Sequence, residues 1–178
     1  MNVILNKIKN MFLGWINDDV NRYIRRGVQI GSGTKIYSCD IDYGHGYLIK
    51  IGNNCTITHA TILSHDASTK HYIGYSKVGK VVIGDEVFIG YGSVILPGVT
   101  IGNRVIVGAN TVVRKSIPDN CVVSGNPMTI LCSTDDFINK HETCMKSLPV
   151  FNNSWRDKTP KEKDYERNVL KDSIGYDI

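Results

Sequence analysis

Aliphatic residues recur every six positions through the middle of the chain. From residue 83 to residue 118 the sequence divides into IGDEVF, IGYGSV, ILPGVT, IGNRVI, VGANTV and VRKSIP. The first position is always Ile or Val, the second is Gly in four of six, and the fifth is mostly branched and never large. A period of six is neither the 3.6 of an amphipathic helix nor the 2 of a single strand. It predicts a short strand and a turn in every six residues, with branched side chains stacked in the interior.

Weaker copies of the pattern precede this regular run, and the phase breaks twice. The copies begin at Ile30, Ile36, Ile51 and Ile57. Fifteen residues separate the second copy from the third, where twelve or eighteen would keep the phase. An outward bulge over residues 42–48, DYGHGYL, would absorb the difference. The longer break is ILSHDASTKHYIGYSKVGK, and its polar part, residues 66–80, is predicted to be a loop inserted into the repeat.

A helical pattern precedes the repeat. Apolar residues recur at helix spacing from Ile4 to Ile16, so residues 1–26 are predicted to be a helix. Such a helix could lie on a membrane surface or cover an open end of the core. Its basic face is thin, with Lys7 and Lys9, which favours the second interpretation.

Helical signals return after residue 130. Ser133 and Thr134 can cap a helix that continues to about Met145. The residues TPKE at 159–162 form a capping box with Pro at the first helical position, which opens a second helix ending before Gly175. The predicted domains are an N-terminal helix (1–26), a repeat domain with the 66–80 insertion (27–130), and a helical tail (131–178).

Composition narrows the functional class only slightly. The chain has 178 residues, enough for one domain with a core. Its net charge of +4 is spread along the sequence, which could favour an anionic ligand but is weak evidence for nucleic acid. The five cysteines include no C-x-x-C pair, which favours reduced thiols and a cytoplasmic location. We expect no membrane-spanning segment and no signal peptide, because no apolar run approaches about 18 residues.

The regular run through residue 127, which ends in SGNP, resembles the hexapeptide-repeat acyltransferases. It is most similar to the maltose, galactoside and capsular-polysaccharide O-acetyltransferases, and the resemblance covers residues 27–130. It implies an all-β solenoid, a left-handed parallel β-helix with three hexapeptides per coil, flanked here by N-terminal and C-terminal helices. It also implies a homotrimer with active sites at subunit interfaces, acetyl-CoA as donor and a saccharide as acceptor, in cell-surface polysaccharide biosynthesis.

The resemblance assigns His65 as the general base. Acetyl transfer to a hydroxyl group needs a base for the proton, a donor for the oxyanion and exclusion of water. His65 stands where the repeat stops, and the family's catalytic base is a histidine at such an interruption. It lies third in its hexapeptide, LSHDAS, whereas the family usually places the histidine at the end. Asp66 could orient the ring through the nitrogen remote from the substrate.

The resemblance also implies the contacts of the donor. The residues assigned to acetyl-CoA are Phe88, Gly90, Tyr91, Gly92, Ala109, Asn110, Arg114 and Lys115. The first four would surround the acyl group and supply an N–H for the oxyanion, the next two would meet the pantetheine amides, and the basic pair would meet phosphates. The basic residues that often follow the Gly-x-Pro turn are absent from GNPMTILCS.

The acceptor is expected to meet His59, Tyr72 and Tyr75, because tyrosine can lie against a sugar ring while its hydroxyl forms hydrogen bonds. His45, in the bulge, could line an acceptor site, but we expect it to be an ordinary surface histidine.

Histidines at 59, 65 and 71 also suggest a metal, since a zinc carbonic anhydrase shares this type of fold. In a three-sided coil a step of six turns the side chain by roughly 120°, so we predict no metal site. The open alternatives are N-acetylation of an amino sugar or antibiotic, a metal-dependent lyase of the γ-type carbonic anhydrase kind, and a non-catalytic scaffold.

Overall fold

The computed structural model describes residues 20–178, in two compact units, one ending at Thr134 and the other running from Asp135 to Ile178. Residues 20–25 are helical and are labelled α1. The rest of the predicted N-terminal helix, residues 1–19, lies outside the described residues. Among the described helices, none combines the length and the apolar character needed to cross a bilayer.

Short strands of the first unit form three sheets. Sheet A contains β1 (Gln29–Ile30), β4 (Ile49–Ile51), β9 (Val81–Ile83) and β12 (Thr100–Ile101). Sheet B contains β2 (Lys35–Tyr37), β5 (Thr56–Thr58), β10 (Phe88–Ile89), β13 (Ile106–Val107), β15 (Cys121–Ser124) and β16 (Thr129–Ser133). Sheet C contains β3 (Asp40–Ile41), β6 (Thr61–Ile62), β11 (Val94–Ile95) and β14 (Val112–Val113).

From β1 to β14, apart from the segment between β6 and β9, consecutive strands visit sheets A, B and C in turn, and each coil stacks on the one before it. All neighbours within these sheets pair in parallel except β15 and β16, which are antiparallel. In the regular run Ile83 pairs with Ile101, eighteen positions later, which is three hexapeptides. The predicted strand and turn in every six residues is therefore confirmed for this run.

The core is the stack of first-position and fifth-position side chains. All six first-position residues of the regular run are buried: Ile83, Ile89, Ile95, Ile101, Val107 and Val113. Two fifth-position residues are polar, and both are satisfied. The hydroxyl groups of Ser93 and Thr111 donate to the carbonyl oxygen of Gly108 at 2.9 and 2.7 Å. Their burial is therefore inexpensive, because each hydroxyl keeps a partner.

A ladder of Asn and Asp side chains joins the turns between sheets A and B. Asn103 Oδ1 accepts a hydrogen bond from Asp85 N at 2.9 Å, and Asp119 Oδ1 accepts one from Asn103 N at 2.8 Å. A Cβ on Gly84 would lie 2.6 Å from Asn103 Oδ1. The glycine after the inward isoleucine thus leaves room for the ladder and does not simply relieve the turn.

Two irregular segments leave the coil at one corner, where the chain passes from sheet C to sheet A; we call this the C–A corner. The first is the predicted bulge at 42–48, which includes a short 3₁₀ helix, Gly46–Leu48. It makes the step from Ile30 to its partner Ile51 twenty-one residues long (51 − 30). The second is the predicted 66–80 loop. It has an antiparallel stem of β7 (His65–Asp66) and β8 (Lys77–Val78), with α2 (Lys70–Ile73) between them.

The first unit ends later than the predicted boundary at 130/131. Residues from Thr129 onwards form β16, which pairs with β15 and so extends the repeat domain to Thr134. The residues of β16 do not follow the six-residue pattern, and their antiparallel pairing does not either. A domain boundary predicted from the period alone therefore falls a few residues too early.

The second unit contains most of α3 (Thr134–Met145), the parallel pair β17 (Val150–Phe151) and β18 (Tyr176–Asp177), and α4 (Pro160–Val169). The predicted capping box is present, since Thr159 and Glu162 exchange backbone and side-chain hydrogen bonds at the start of α4. Lys158 Nζ donates to Glu166 and Asp177, each at 2.7 Å.

Candidate active site

Both irregular segments of the C–A corner contribute to one cluster of polar side chains. Asp42 follows β3, and His65 follows β6, the neighbouring strand in sheet C. Asp42 N donates to Ile62 O at 3.0 Å, which fixes the first segment under the second. The cluster therefore arises because β3 and β6 are stacked and both chains leave the coil at the same place.

Asp42 and His65 form a short hydrogen-bonded pair. His65 Nδ1 lies 2.6 Å from Asp42 Oδ2. The same oxygen accepts from Ser64 N at 3.1 Å and from Ser64 Oγ at 2.9 Å. The other oxygen, Oδ1, accepts from the backbone N–H groups of Gly44 and His45 at 3.1 and 3.2 Å. Both oxygens of the Asp42 carboxylate therefore have hydrogen-bond donors within the chain.

The Asp42 carboxylate is fully buried yet stays ionised. Its side chain is 0% exposed, and burial alone raises the pKa of a carboxyl group. The hydrogen bonds from the His65 ring, the Ser64 hydroxyl and the backbone outweigh that effect and hold the pKa of Asp42 well below its usual range. A fixed negative charge consequently sits behind the imidazole.

This arrangement selects one tautomer of His65. Because Oδ2 is an ionised acceptor, Nδ1 carries the hydrogen of the pair, and Nε2 of the neutral ring is left as the acceptor. Among the described residues, Nε2 has no hydrogen-bond partner, and the side chain is 37% exposed. An imidazole held by a carboxylate at one nitrogen and open at the other can take a proton from a hydroxyl group.

Asp66 does not hold the His65 ring in the structure. It is exposed, and its Oδ1 accepts from Ser68 N at 2.9 Å. That bond is the main cause of a lowered pKa for Asp66. The predicted orienting carboxylate is therefore replaced by Asp42, which sequence reasoning missed. The signal for it was the first phase break, since DYGHGYL begins with this aspartate and leaves the repeat at the same corner.

His45 lies beside the pair and completes a cluster of three possible metal ligands. Its ring centroid is 4.9 Å from that of His65, and its Nδ1 is 3.7 Å from Asp42 Oδ1. One ligand atom from each of Asp42, His45 and His65 falls within 4.8 Å of the others. A cation bound through His65 Nδ1 would displace the proton between Asp42 and His65, and one bound through Nε2 would occupy the nitrogen that accepts the substrate proton, so either competes with the base arrangement.

The other two histidines of the six-residue series lie elsewhere in the repeat unit. His59 packs against Tyr91, with ring centroids 4.7 Å apart, and His71 packs against Tyr72 on α2. The only described cluster of three possible ligands that includes a histidine of this series is the one around Asp42. The series itself does not converge within residues 20–178.

Most of the residues predicted to bind acetyl-CoA lie at a second corner, between sheets B and C, which we call the B–C corner. Five of them fall there, Gly90, Tyr91, Gly92, Ala109 and Asn110, and Phe88 lies in β10 just before it. Asn110 N donates to Tyr91 O at 2.8 Å, and a Cβ on Gly90 would lie 2.7 Å from Ala109 N. The coils thus approach closely at this corner, with Phe88 and Tyr91 exposed beside the approach.

The backbone N–H groups at the B–C corner differ in whether they are free to bind an oxyanion. Gly90 N donates to Val107 O at 2.8 Å, and Gly92 N donates to His59 O at 3.1 Å. Of the three N–H groups predicted for the oxyanion, two are therefore committed within the chain. His59, predicted to meet the acceptor, lies at this corner and not beside His65.

Arg114 and Lys115 follow β14 and so belong to the C–A corner with His65. Both are exposed. The predicted catalytic and acetyl-CoA-binding residues of one chain therefore lie at two corners. His65, Arg114 and Lys115 are at the C–A corner, and the residues predicted to contact the acyl group and the pantetheine are at the B–C corner.

The two tyrosines predicted for the acceptor project from the hairpin that begins at His65. Tyr72 and Tyr75 are 84% and 77% exposed. The hairpin tip is tied by Thr69 Oγ1, which donates to Tyr75 O at 2.7 Å. Exposed rings on an ordered hairpin are available to a ligand that approaches His65 from outside.

Comparison with known proteins agrees with the hexapeptide repeat. The family model described as bacterial transferase hexapeptide (six repeats) matches residues 80–115. Protein CapG of Staphylococcus aureus is 39% identical over 142 residues, which cover 75% of this chain and 83% of CapG. The galactoside O-acetyltransferase of Escherichia coli K12 is 32% identical over 140 residues, covering 72% of this chain and 68% of the relative.

Other matches are shorter. The chain spans about half the length of the Bacillus subtilis putative acetyltransferase YvoF, with 44% identity over 89 residues and 49% of each protein covered. A crystal structure of a Vibrio cholerae hexapeptide-repeat acetyltransferase complexed with acetyl-coenzyme A matches with a TM-score of 0.55 and 32% identity over 61% of each chain. Taken with the extent of the CapG and galactoside O-acetyltransferase matches, this shows that the chain belongs to the hexapeptide-repeat acetyltransferases, a family of acetyl-CoA-dependent enzymes.

Proposed function

We propose that this chain transfers the acetyl group of acetyl-CoA to a hydroxyl group of a saccharide, with His65 as the general base and Asp42 as the residue that orients it. The observation that carries the proposal is the 2.6 Å contact between His65 Nδ1 and a buried, ionised Asp42, which leaves Nε2 open. Acetyl transfer needs a base in that state, and a scaffold without catalysis does not need a buried carboxylate behind an exposed imidazole.

The reaction follows from this geometry. Nε2 of His65 accepts the proton of the acceptor hydroxyl as its oxygen attacks the thioester carbonyl carbon. The ring then carries a positive charge, which the Asp42 carboxylate stabilises through Nδ1–H. When the tetrahedral intermediate collapses, the C–S bond breaks and the CoA sulfur takes the proton back from Nε2. The products are an acetyl ester and free CoA thiol, and His65 returns to its starting state.

The proposal includes a left-handed β-helix assembled as a homotrimer. The acyl and pantetheine residues lie at the B–C corner, whereas His65 lies at the C–A corner of the same chain. A second subunit that placed its B–C corner against His65 would complete the site. In a closed trimer the same contact would occur three times, which gives three equivalent sites. Tyr91 N–H, uncommitted among the described residues, is then the candidate oxyanion donor.

A saccharide acceptor is supported by the surface around His65. Tyr72 and Tyr75 expose aromatic faces and hydroxyl groups on the adjoining hairpin, a combination suited to sugar rings. The relative from E. coli named galactoside O-acetyltransferase is matched over most of its length. All five cysteines are free thiols, which suits a reducing compartment such as the cytoplasm, where we place the reaction and the polysaccharide precursors it would modify.

The experiment is a measurement of CoA thiol release from acetyl-CoA with a panel of saccharides and matched amino sugars. We expect release with at least one saccharide that lacks an amino group, and an acetylated product that mild alkali hydrolyses. An alkali-stable product formed only from amino sugars would replace O-acetylation with N-acetylation. No thiol release with any acceptor would contradict the proposal.

The cluster of Asp42, His45 and His65 favours one second candidate, a metal-dependent lyase. Metal analysis of the purified protein separates the two. We expect substoichiometric zinc and unchanged acetyl transfer after treatment with a chelator. Stoichiometric zinc, together with loss of activity on chelation, would favour the lyase.

A further inference from the structure

His45 is a second imidazole at the candidate site that the proposed chemistry leaves unused. Its backbone is held on both sides. The N–H donates to Asp42 Oδ1 at 3.2 Å, and the carbonyl oxygen accepts from Leu48 N at 2.9 Å. It also lies 3.0 Å from Ser64 Oγ, whose single hydrogen is shared with Asp42 Oδ2. The ring is therefore carried by an ordered turn and not by a slack loop.

The two ring nitrogens of His45 lie in different surroundings. Nδ1 is buried, has no hydrogen-bond partner and lies 3.7 Å from Asp42 Oδ1, too far for a hydrogen bond. The side chain as a whole is 33% exposed. Nε2 has no hydrogen-bond partner among the described residues and, unlike Nδ1, is not buried. A ligand can therefore form a hydrogen bond with this ring through Nε2.

His45 and His65 present the same arrangement twice. Each ring directs Nδ1 toward one oxygen of Asp42 and keeps Nε2 accessible. The ring centroids are 4.9 Å apart and the planes are tilted by 35°. Two neighbouring imidazole rings, each with its Nε2 open, suit a ligand with two neighbouring polar atoms, and an acceptor with a single hydroxyl would use only one of them.

We propose that His45 is an acceptor-binding residue, whose Nε2 accepts a hydrogen bond from the hydroxyl group on the carbon next to the one acetylated. The inference rests on the proposed function and narrows the acceptor class to saccharides with two neighbouring hydroxyl groups. His65 deprotonates one hydroxyl, and Nε2 of His45 binds the other. A small shift of the ring brings Nδ1–H into hydrogen-bond distance of Asp42 Oδ1, which satisfies the buried nitrogen when the ligand is bound.

The rest of the bulge is suited to the same ligand. Tyr47 is 64% exposed, and its ring centroid is 6.1 Å from that of His45. Tyr43 is 79% exposed, with the Arg26 guanidinium 4.6 Å from its ring centroid. Aromatic rings exposed beside a hydrogen-bonding edge are the surface that a pyranose binds, with its C–H face on the ring and its hydroxyls on the polar groups.

The test compares an accepted glycoside with its deoxy analogue lacking the hydroxyl next to the acetylated position, which is first located in the product by NMR. We expect wild-type kcat/KM to favour the glycoside over the analogue by about 10-fold, the effect of one hydrogen bond. In His45→Ala this preference should fall to near one, because only the glycoside loses an interaction. The matched control is His141→Ala, a histidine of the second unit, which should retain the wild-type preference.

A purely structural role gives a different result. If His45 only supports Asp42, His45→Ala lowers kcat/KM for both acceptors equally and the preference persists, which overturns the proposal. His45→Gln serves if His45→Ala disturbs folding, because glutamine keeps a hydrogen-bonding side chain. Part of the preference for the glycoside should then be retained. A folded His45→Gln protein without any preference would also contradict the proposal. Failure of the proposed function is distinguishable, because wild-type protein would then release no CoA with any saccharide, and the role of His45 would fall with it.

Discussion

Replacing Asp42 with Asn tests whether the buried charge behind His65 matters. The substitution keeps the shape of the side chain but turns one acceptor oxygen into an NH₂ donor. If the remaining oxygen faces His65 and Ser64, the NH₂ group faces the N–H groups of Gly44 and His45, two donors without an acceptor. If the amide is reversed, the NH₂ group faces His65 Nδ1, and the ring must move its hydrogen to Nε2, where it cannot accept a proton.

Either orientation has a cost that the structure allows us to estimate. A hydrogen bond from a charged group contributes about 1.5–3 kcal/mol, and the imidazolium formed in the reaction loses one such partner. At about 1.4 kcal/mol for each factor of ten, kcat should fall roughly 10- to 150-fold. Two unpaired backbone donors in a buried site would also lower the free energy of unfolding by about 1–3 kcal/mol each.

The assay is steady-state CoA release, with thermal unfolding measured on the same samples. Asp66→Asn is the matched comparison, since it removes the same charge one residue from His65 but from an exposed position. We expect a large fall in kcat for Asp42→Asn and a change of less than about 2-fold for Asp66→Asn. Full activity in Asp42→Asn, or a larger loss in Asp66→Asn, would refute the assignment of Asp42.

Further predictions concern stability and the acceptor. The pKa of Asp42 is lowered in the folded state, so its carboxylate stabilises the fold above the unfolded-state pKa of about 3.9 and loses that effect as the pH falls below it. The difference in melting temperature between wild type and Asp42→Asn should therefore shrink between about pH 5 and pH 3, and a difference that widens on acidification would contradict this. Gly90→Ala should lower the free energy of unfolding by about 1–3 kcal/mol, since its Cβ would lie 2.7 Å from backbone of the next coil; Gly44→Ala, with nothing within 4 Å, should change it by less than about 0.5 kcal/mol in chemical denaturation. Tyr72→Ala and Tyr75→Ala should each raise KM for the acceptor roughly 2- to 10-fold without changing the melting temperature or the KM for acetyl-CoA, because both rings are exposed.

The regular part of the fold is readable from the sequence because it is local and repeated. Each hexapeptide carries its own inward residue, so the stacking of Ile83 on Ile101 and of Ile95 on Val113, each pair eighteen residues apart, follows from counting. The end of the domain is not readable in this way. β16 joins the sheet through antiparallel pairing with β15, which depends on a turn at Gly125–Pro127 and not on the period.

The candidate site was only half predictable for a related reason. His65 is marked by the place where the period stops. Its partner Asp42 is 23 positions earlier, a separation that is a multiple of neither six nor eighteen, because the coil between them is lengthened by the bulge. Only the stacking of β3 on β6 brings the two together.

The way in which neighbouring subunits would complete the site is also hidden from the sequence of one chain. Counting places Tyr91 and Ala109 on adjacent coils, and the structure agrees that their corner is closely stacked. Which subunit faces His65 depends on the surface of the assembled protein, which the periodicity of one chain does not encode. The proposal of an interface site thus rests on the geometry of the two corners.

The most direct test of the central claim is CoA release by His65→Ala compared with wild type, at saturating acetyl-CoA and acceptor. General-base catalysis contributes about 10²- to 10⁴-fold, so we predict a fall in kcat of that size. The melting temperature should stay close to that of wild type, because the ring is partly exposed and packs outside the aliphatic core. Undiminished turnover in a folded His65→Ala protein would contradict the account.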